Sequence, residues 1–290
     1  MGIRDMGYKP YEGDLLPHRS RYRVLIRRAL SLAWASGLVK TTLILGAFPV
    51  VICGVVMFLK LQAIQYVSKM AAGQAQGLIS DPGDLVFTTI YWCQIWFAFV
   101  ISLLVAAPTI AEDVRTGAFQ FYFARPVSRN HYLVGKVAPV AILVAIISMG
   151  PALALAILRL ALAGSGAEAA SNLKWLLGTL VYGPLYALVL ALPPVALSSL
   201  GRRAGGIQGL WASIFFLSWL LGEGVAAGAN LPYLALLSIP TDLRLVGQLI
   251  YGLPPAYAIP WVLPAAVLLA LVGGSAYLLL RRLGRVEVFS

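Results

Sequence analysis

The chain has 290 residues, of which 60% are hydrophobic and only 11% are charged, and its mean hydropathy is +0.85. Soluble domains are about 25% charged, so this composition excludes an ordinary water-soluble domain and indicates a membrane protein. The formal net charge is +11. Because the basic residues lie beside apolar runs, we interpret this excess as a topology signal and expect no nucleic-acid partner.

The N-terminal region is polar and precedes the first long apolar run. Residues 1–18 form an arm without clear periodicity, whereas residues 19–36 have the 3.6-residue repeat of an amphipathic helix. We predict that this helix lies in the membrane interface, and a basic flank without a special role is the alternative. Its apolar face comprises Tyr22, Leu25, Ile26, Ala29, Leu30 and Ala33, and its polar face comprises Arg21, Arg27, Arg28 and Ser31.

Six apolar runs are long enough to cross a bilayer as helices, which requires roughly 20 residues each. They cover about residues 41–60, 85–111, 137–161, 175–200, 206–229 and 259–280. The predicted fold is therefore an all-α polytopic membrane protein, with an N-terminal arm and amphipathic helix at 1–36 and a six-helix transmembrane domain at 37–290. Residues 230–258 contain four prolines and two charges, so we predict short helices on the outer face or a re-entrant segment.

Basic residues are distributed unevenly between the two sides of this six-span arrangement. The side with the N-terminal arm, the 112–136 loop, the 200–205 turn and the C-terminal tail carries 17 Lys and Arg, and the opposite side carries 5. The positive-inside rule places the richer side in the cytoplasm. We therefore expect a multi-pass protein of the cytoplasmic (inner) membrane with both termini in the cytoplasm.

Two polar residues within the spans are candidates for a translocation path. Glu223 lies near the outer end of the fifth span, and an intramembrane carboxylate is a functional candidate. Its neighbours Gly222 and Gly224 also allow a helix break and a structural role. Gln94 in the second span either lines the path or donates a hydrogen bond to a neighbouring helix.

The sequence lacks the patterns of common catalytic sites. Its two histidines, His18 and His131, lie in predicted cytoplasmic segments, and Asp and Glu do not cluster in the spans. Gly135-Lys136 is not part of a phosphate-binding loop, because Asn130 stands where that loop needs Gly and Val137 where it needs Ser or Thr. We therefore expect no enzyme activity, no cofactor and no metal in this chain.

The loop 112–136 is too long and too apolar for a simple connection. Its aromatic residues Phe121 and Tyr122 either dock a cytoplasmic protein or anchor in the headgroup region. Gly117 permits close approach or a bend. The order Glu112-Asp113-Val-Arg-Thr-Gly117, then Arg125-Pro126-Val-Ser128-Arg129, then Gly135-Lys136 resembles the signature loop of ABC type-2 membrane permeases, with Thr-Gly in place of Gly-Thr and aromatic residues in place of a Leu-rich run.

This resemblance implies a mechanism that composition does not reveal. Such permeases work as two six-span subunits, here expected as a homodimer, with two separate ATP-binding cassette ATPases that hold the ATP and magnesium. The loop between spans two and three supplies a cytoplasmic coupling helix that contacts the ATPase. The residues expected to couple are Glu112, Asp113, Arg115, Gly117, Phe121, Tyr122, Arg125, Pro126, Ser128 and Arg129.

The function expected from the sequence is therefore the permease subunit of an ATP-driven exporter. The alternative is a non-transporting membrane scaffold, or a mechanotransmitting subunit that docks a cytoplasmic ATPase and acts on an outer partner. A central path distinguishes the first from the second.

Overall fold

The computed structural model of the chain describes residues 21–70, 83–118 and 129–286. Within these ranges the chain is almost entirely helical and contains no strand. We number the main helices in chain order as α1 (Arg21–Ala35), α2 (Gly37–Met70), α3 (Asp84–Thr116), α4 (Arg129–Ala161), α5 (Gly166–Ser198), α6 (Ala204–Val225), α7 (Ile239–Tyr251) and α8 (Val262–Val286).

Six of these helices, α2 to α6 and α8, are long and apolar enough to cross a membrane. The prediction of a helical, multi-pass membrane protein is thereby confirmed, and each predicted span overlaps one helix. Three boundaries differ from the prediction by eight residues or more: α2 continues to Met70, α4 begins at Arg129 and α5 begins at Gly166. These extensions carry polar residues that an apolar-run criterion leaves out, although the helix itself continues through them.

The centre of the bundle is α5. In its most apolar stretch 67% of the residues are buried, against 17% in both α2 and α8. Helix α5 packs along α4 over most of its length and also contacts α3, α7 and α8. Helices α2 and α8 are therefore peripheral, and their apolar faces point toward lipid or another chain.

We name the two sides of the bundle by their basic residues. The basic side holds α1, the connection from α3 to α4, the turn from α5 to α6 and the end of α8. The opposite side holds the connection from α2 to α3, the turn from α4 to α5 and α7. These names describe the chain's path through alternating spans and assign no compartment.

Helix α1 lies against the first turns of α4. The ring of Tyr22 stacks on His131 with centroids 6.0 Å apart. A Cβ atom at Gly135 would lie 2.7 Å from the Cβ of Leu25, so only glycine allows the two helices to approach this closely. The exposed residues of α1 include Arg27 and Arg28, whereas Leu25 is half-buried.

Helix α3 is irregular, because two turns of π-helix, Thr89–Cys93 and Ser102–Ala106, interrupt it. Such turns displace the helical register and are frequent at functional sites. Each is tied to a neighbouring helix. Gln94 follows the first, and Ser102 within the second donates a 2.7 Å hydrogen bond to the carbonyl of Leu190 in α5.

Residues 230–258 form short helices, as predicted. A 3₁₀ segment, Pro232–Leu237, leads into α7, where the hydroxyl of Ser238 caps the helix by accepting from the amide of Thr241 at 3.2 Å. Helix α7 ends at Gly252, whose φ of +67° favours glycine. Much of α7 is buried, including Asp242, so this segment is packed into the bundle.

Candidate coupling site

The predicted coupling residues begin in the last turn of α3. Glu112, Asp113 and Arg115 lie in that turn, and Gly117 ends it. Arg129 starts α4, although its side chain is not among those described. Five of the predicted residues lie outside the described ranges: Phe121, Tyr122, Arg125, Pro126 and Ser128.

Asp113 joins the two helices that flank the loop. Its side chain is nearly buried, and Oδ2 accepts a 2.6 Å hydrogen bond from the hydroxyl of Tyr132. The same oxygen lies 2.6 Å from Nζ of Lys136. Both partners belong to α4. The carboxylate of α3 is thus held by a charge and a hydroxyl from the other end of the loop, and we name these three residues the loop clamp.

Lys136 extends the loop clamp back to α3. Besides the carboxylate of Asp113, its ammonium group donates to the carbonyl of Thr109 at 3.2 Å and lies 5.6 Å from the ring centroid of Tyr132. The side chains of Lys136 and Asp113 are only 14% and 11% exposed. A pair this poorly hydrated is screened little by salt, so its strength should depend only weakly on ionic strength.

Glu112 and Arg115 form a second ion pair of different character. The carboxylate Oε1 lies 2.5 Å from Nη2 of Arg115, but the two side chains are 55% and 60% exposed. An exposed pair of this kind contributes at most about 1 kcal/mol to stability. Both side chains can therefore exchange their internal contact for a contact with another protein at little cost.

Gly117 provides a bend. Its φ of +67° and ψ of 20° are left-handed, and the amide of Ala118 donates to the carbonyl of Asp113 at 3.0 Å. A Cβ atom at Gly117 would meet no described atom within 4 Å. Of the two roles predicted from the sequence, the described residues favour the bend over close approach.

Ser198 holds the last turns of α3 against α5. Its hydroxyl oxygen accepts from the amides of Ile110 and Ala111 at 2.9 and 2.8 Å, and it is completely buried. The amides lie just after Pro108 and the second π-turn, where the helical hydrogen-bond ladder changes register. A movement of the end of α3 would therefore either break these two hydrogen bonds or displace α5 as well.

The candidate path residue Gln94 is completely buried between α2 and α3. Its Nε2 donates to the carbonyl of Gly46 at 2.7 Å, while its Oε1 has no hydrogen-bond partner. This is the hydrogen bond to a neighbouring helix that the sequence allowed as one of two roles. A role in a path between two chains stays a prediction.

Glu223 lies in a π-turn, Leu220–Val225, near the opposite side of the membrane. Its Oε1 lies 3.3 Å from Nη1 of Arg244 in α7 and 3.4 Å from the hydroxyl of Thr241. The guanidinium of Arg244 also lies 5.0 Å from the ring centroid of Trp92 in α3. Glu223 thus connects α6 to α7 and, through Arg244, to α3, and its role in a path stays a prediction.

Among the described residues, no group of three or more His, Cys, Asp or Glu side chains has the arrangement needed to hold a metal ion. A comparison with protein-family models and with curated proteins finds no match. The functional interpretation therefore depends on the geometry of the chain itself and on the loop pattern in its sequence.

Sequence reasoning missed Tyr132, Lys136 and Ser198 as members of the site. Lys136 is the last residue of the loop pattern, and Asp113 lies at its beginning. Their opposite charges were the signal that could have predicted an ion pair. Tyr132 and Ser198 gave no such signal, because a hydroxyl in an apolar helix acquires its partner only through tertiary packing.

Proposed function

We propose that this chain is the permease subunit of an ATP-driven exporter of the ABC type-2 kind, with ATP hydrolysis in separate partner subunits. The observation that carries the proposal is the loop clamp, which joins both ends of the 117–128 connection through Asp113, Tyr132 and Lys136. A connection fixed at both ends transmits a displacement to two spans at once. An unbraced loop would absorb the displacement by local motion.

The division of labour between Glu112 and Asp113 supports the same function. Asp113 faces inward and fixes α3 to α4, whereas Glu112 and Arg115 face outward. An exposed carboxylate beside an exposed guanidinium offers both signs of charge to a docking protein. The aromatic run that follows, with Phe121 and Tyr122, supplies the apolar contact in this proposal.

Orientation and helix α1 complete the proposal. The basic side faces the cytoplasm, where the ATPases are, because it carries 17 of the 22 Lys and Arg residues. Helix α1 lies in the inner interface with Arg27 and Arg28 toward the headgroups. Its close contact with α4 at Gly135 braces the helix that leaves the coupling loop.

The second candidate is a mechanotransmitting subunit that passes ATPase work to an outer partner. One observation favours it: α3 carries the loop clamp at one end, and Trp92 near its other end lies under Arg244, the ion-pair partner of Glu223. Movement of α3 would reach the opposite side without a path through the membrane. Accumulation of a cargo in sealed vesicles supports the exporter, and ATP-dependent movement without any cargo supports the second candidate.

The experiment is co-purification of the partner ATPase with variants of the loop. We expect Glu112→Ala, Phe121→Ala and Tyr122→Ala to insert normally but to retain less ATPase, since interface aromatic side chains each contribute about 2 kcal/mol or more at binding hot spots. Gly117→Val should act in the same way because it strains the bend, whereas Gly117→Asn tolerates a positive φ and should retain the partner.

Thermal unfolding of each purified variant in detergent is the control for folding. The purified chain alone should not hydrolyse ATP. Full retention of the ATPase by all three alanine variants would contradict docking at the loop, and ATP hydrolysis by the isolated chain would contradict the assignment of catalysis to a partner.

A further inference from the structure

A second feature of the bundle is a large apolar groove between α4, α5 and α8. Its volume is about 570 Å³, within the usual range for ligand sites. Every lining side chain is apolar, and α4 contributes the longest wall. The residues that define its shape are Val137, Ala141 and Met149 of α4, Pro184 and Leu188 of α5, and Leu280 of α8.

The groove opens at the basic side and extends through the hydrocarbon region. Along α4 the lining runs from Leu133 to Met149, which spans ~24 Å at 1.5 Å per residue, and along α5 it runs from Pro184 to Leu192, which spans ~12 Å. One leaflet of the hydrocarbon core is ~15 Å thick, since the whole core is ~30 Å, so the α4 wall is longer than one leaflet. The α8 wall ends at Leu280, close to the end of that helix, so the mouth of the groove lies at the basic side.

The mouth of the groove carries positive charge. Arg281 and Arg282 directly follow the last lining residue of α8, and both are exposed. Arg282 is three residues after the lining residue Leu279, so the two share one side of the helix. Asn130, also exposed, lies four residues before the lining residue Val134 of α4, so these two residues also share one side of their helix.

We propose that this groove binds one anionic phospholipid of the leaflet on the basic side, with an acyl chain along α4 and α5 and the phosphate held by Arg282. The proposal depends on the six-span arrangement and not on the ATPase partner. Basic residues at the mouth of an intramembrane pocket are the general means by which membrane proteins recognise anionic headgroups.

Two properties favour a lipid over other occupants. The wall offers no hydrogen-bonding group, so it suits a hydrocarbon chain and would leave the polar groups of an inserted protein loop unsatisfied. Among the described residues, no acidic side chain forms an ion pair with Arg281 or Arg282, so these charges are available to a phosphate. A second copy of the chain is the competing occupant and is an outcome of the test.

The test is native mass spectrometry of the purified chain after reconstitution in vesicles of equal phosphatidylglycerol and phosphatidylcholine. Wild type should retain one phosphatidylglycerol per chain in preference to phosphatidylcholine. Ala141→Trp fills the groove and should abolish retention of both lipids. Arg282→Gln should lower the preference for phosphatidylglycerol about fivefold, the effect of one basic residue at a membrane surface, and Arg282→Lys should restore it.

Two control variants match these changes at positions outside the groove. Val181→Trp adds the same bulk to an exposed position of α5, and Arg203→Gln removes a charge from the turn between α5 and α6 on the same side of the membrane. Neither should alter retention, and thermal unfolding shows which variants fold. If Ala141→Trp does not fold, the proposal is tested by the lipid preference of Arg282→Gln compared with that of Arg282→Lys.

A photoreactive acyl-chain phosphatidylglycerol supplies an independent readout, and its adducts should map to peptides of α4 or α5. Equal retention of the two lipids by wild type, unchanged retention in Ala141→Trp, or adducts confined to other helices would overturn the proposal. Protection of the groove peptides by a second copy of the chain would also overturn it.

Discussion

Two adjacent acidic residues at the end of α3 have different environments and therefore different roles. Asp113 is nearly buried and shares one oxygen between Tyr132 and Lys136, whereas Glu112 is exposed and pairs with Arg115 on its own helix. The first arrangement is sensitive to loss of either partner, because an unpaired charge would remain in a poorly hydrated place. The second is free to be replaced by contacts with another protein.

We expect the Asp113–Lys136 pair to be non-additive. Asp113→Asn and Lys136→Met should each destabilise the chain by about 3 kcal/mol, because each removes one charge of a poorly hydrated ion pair. The double variant should cost less than the sum by about 1–3 kcal/mol. The measurement is a double-mutant cycle on the thermal or denaturant unfolding of the chain in detergent, with Glu112→Gln as the exposed control. Additive losses would show that the two side chains do not interact.

The buried carboxyl of Asp242 should make the stability of the folded chain depend on pH. Burial raises the pKa of its carboxyl from 3.8 to about 8, and neither of its oxygens accepts a hydrogen bond. The folded chain then keeps the proton while the unfolded chain releases it, so stability falls as the pH rises from about 4 to about 8. Above that range both states are ionised and the contribution is constant.

Asp242→Asn should remove this contribution. Relative to wild type, the variant should gain melting temperature between pH 5 and pH 8, and the difference should stop growing above about pH 8. Asp84→Asn, at an exposed position, serves as the control for the chemistry of the substitution. Parallel profiles for wild type and Asp242→Asn would contradict the buried, protonated state of Asp242.

At the residue scale the sequence indicates candidate residues but not their partners. Glu112, Asp113 and Gly117 are candidates because the loop resembles the ABC type-2 signature, but which of the two acids faces inward depends on the packing of α4. Asp242 and Arg244 were used only to argue against a span, and the complete burial of Asp242 and the partial burial of Arg244 were not expected. Polar residues of this kind depend on tertiary contacts that leave no periodic trace.

At the scale of elements, α3 is the helix that connects the features of both sides. It carries the loop clamp at its end, two π-turns along its length, and Trp92 beneath Arg244 near its start. Its last turns are held to α5 through Ser198. A π-turn is a local excess of one residue in the helix, and it allows a segment to shift without unfolding the whole helix.

Ser198 and Ser199 form a natural pair for testing this connection. Ser198→Ala removes the acceptor of two main-chain amides in α3 and should cost about 1–3 kcal/mol. Ser199→Ala removes only a hydrogen bond to Ala196 on its own helix and should change stability by less than about 0.5 kcal/mol. The measurement is unfolding in detergent. Equal effects at the two positions would show that Ser198 does not brace α3.

Hydrophobic periodicity and run length were sufficient to locate the six long helices, because membrane-length apolar runs are a strong signal. The π-turns of α3 were not predictable, since no residue type specifies them. The division between the fourth and fifth spans was predicted at the turn near Arg202 and Arg203, and the structure has α5 end at Ser198 and α6 begin at Ala204. Small and charged residues in that turn gave the boundary.

At the scale of the whole molecule, the bundle has a buried centre and exposed outer helices. Helix α5 is central, whereas α2, α6 and α8 each bury less than a quarter of their most apolar stretch. This apolar surface is suited to contact with lipid, and the proposed function assigns some of it to a second copy of the chain. The groove between α4, α5 and α8 is also part of this apolar surface, and we propose that it binds a phospholipid.

The orientation of the molecule is open to direct labelling. Single cysteines at Arg203 and at Lys69 or Lys174, in a chain without Cys53 and Cys93, should react from opposite sides of sealed vesicles. The proposed orientation, which follows from the excess of Lys and Arg, has position 203 in the cytoplasm and positions 69 and 174 outside. Reaction of position 203 with an impermeant external reagent would reverse the proposed orientation.

The central claim is that the residues at the end of α3 contact a cytoplasmic ATPase, and photocross-linking in native membranes tests it most directly. A benzoylphenylalanine at position 112 should yield an adduct with an ATP-binding cassette ATPase, whereas the same residue at the exposed Leu173 on the opposite side should not. The proposed function predicts an ATPase adduct at position 112. The yield of this adduct should change when the ATPase is held in its ATP-bound state. Capture of the ATPase at 173, or of lipid alone at 112, would contradict it.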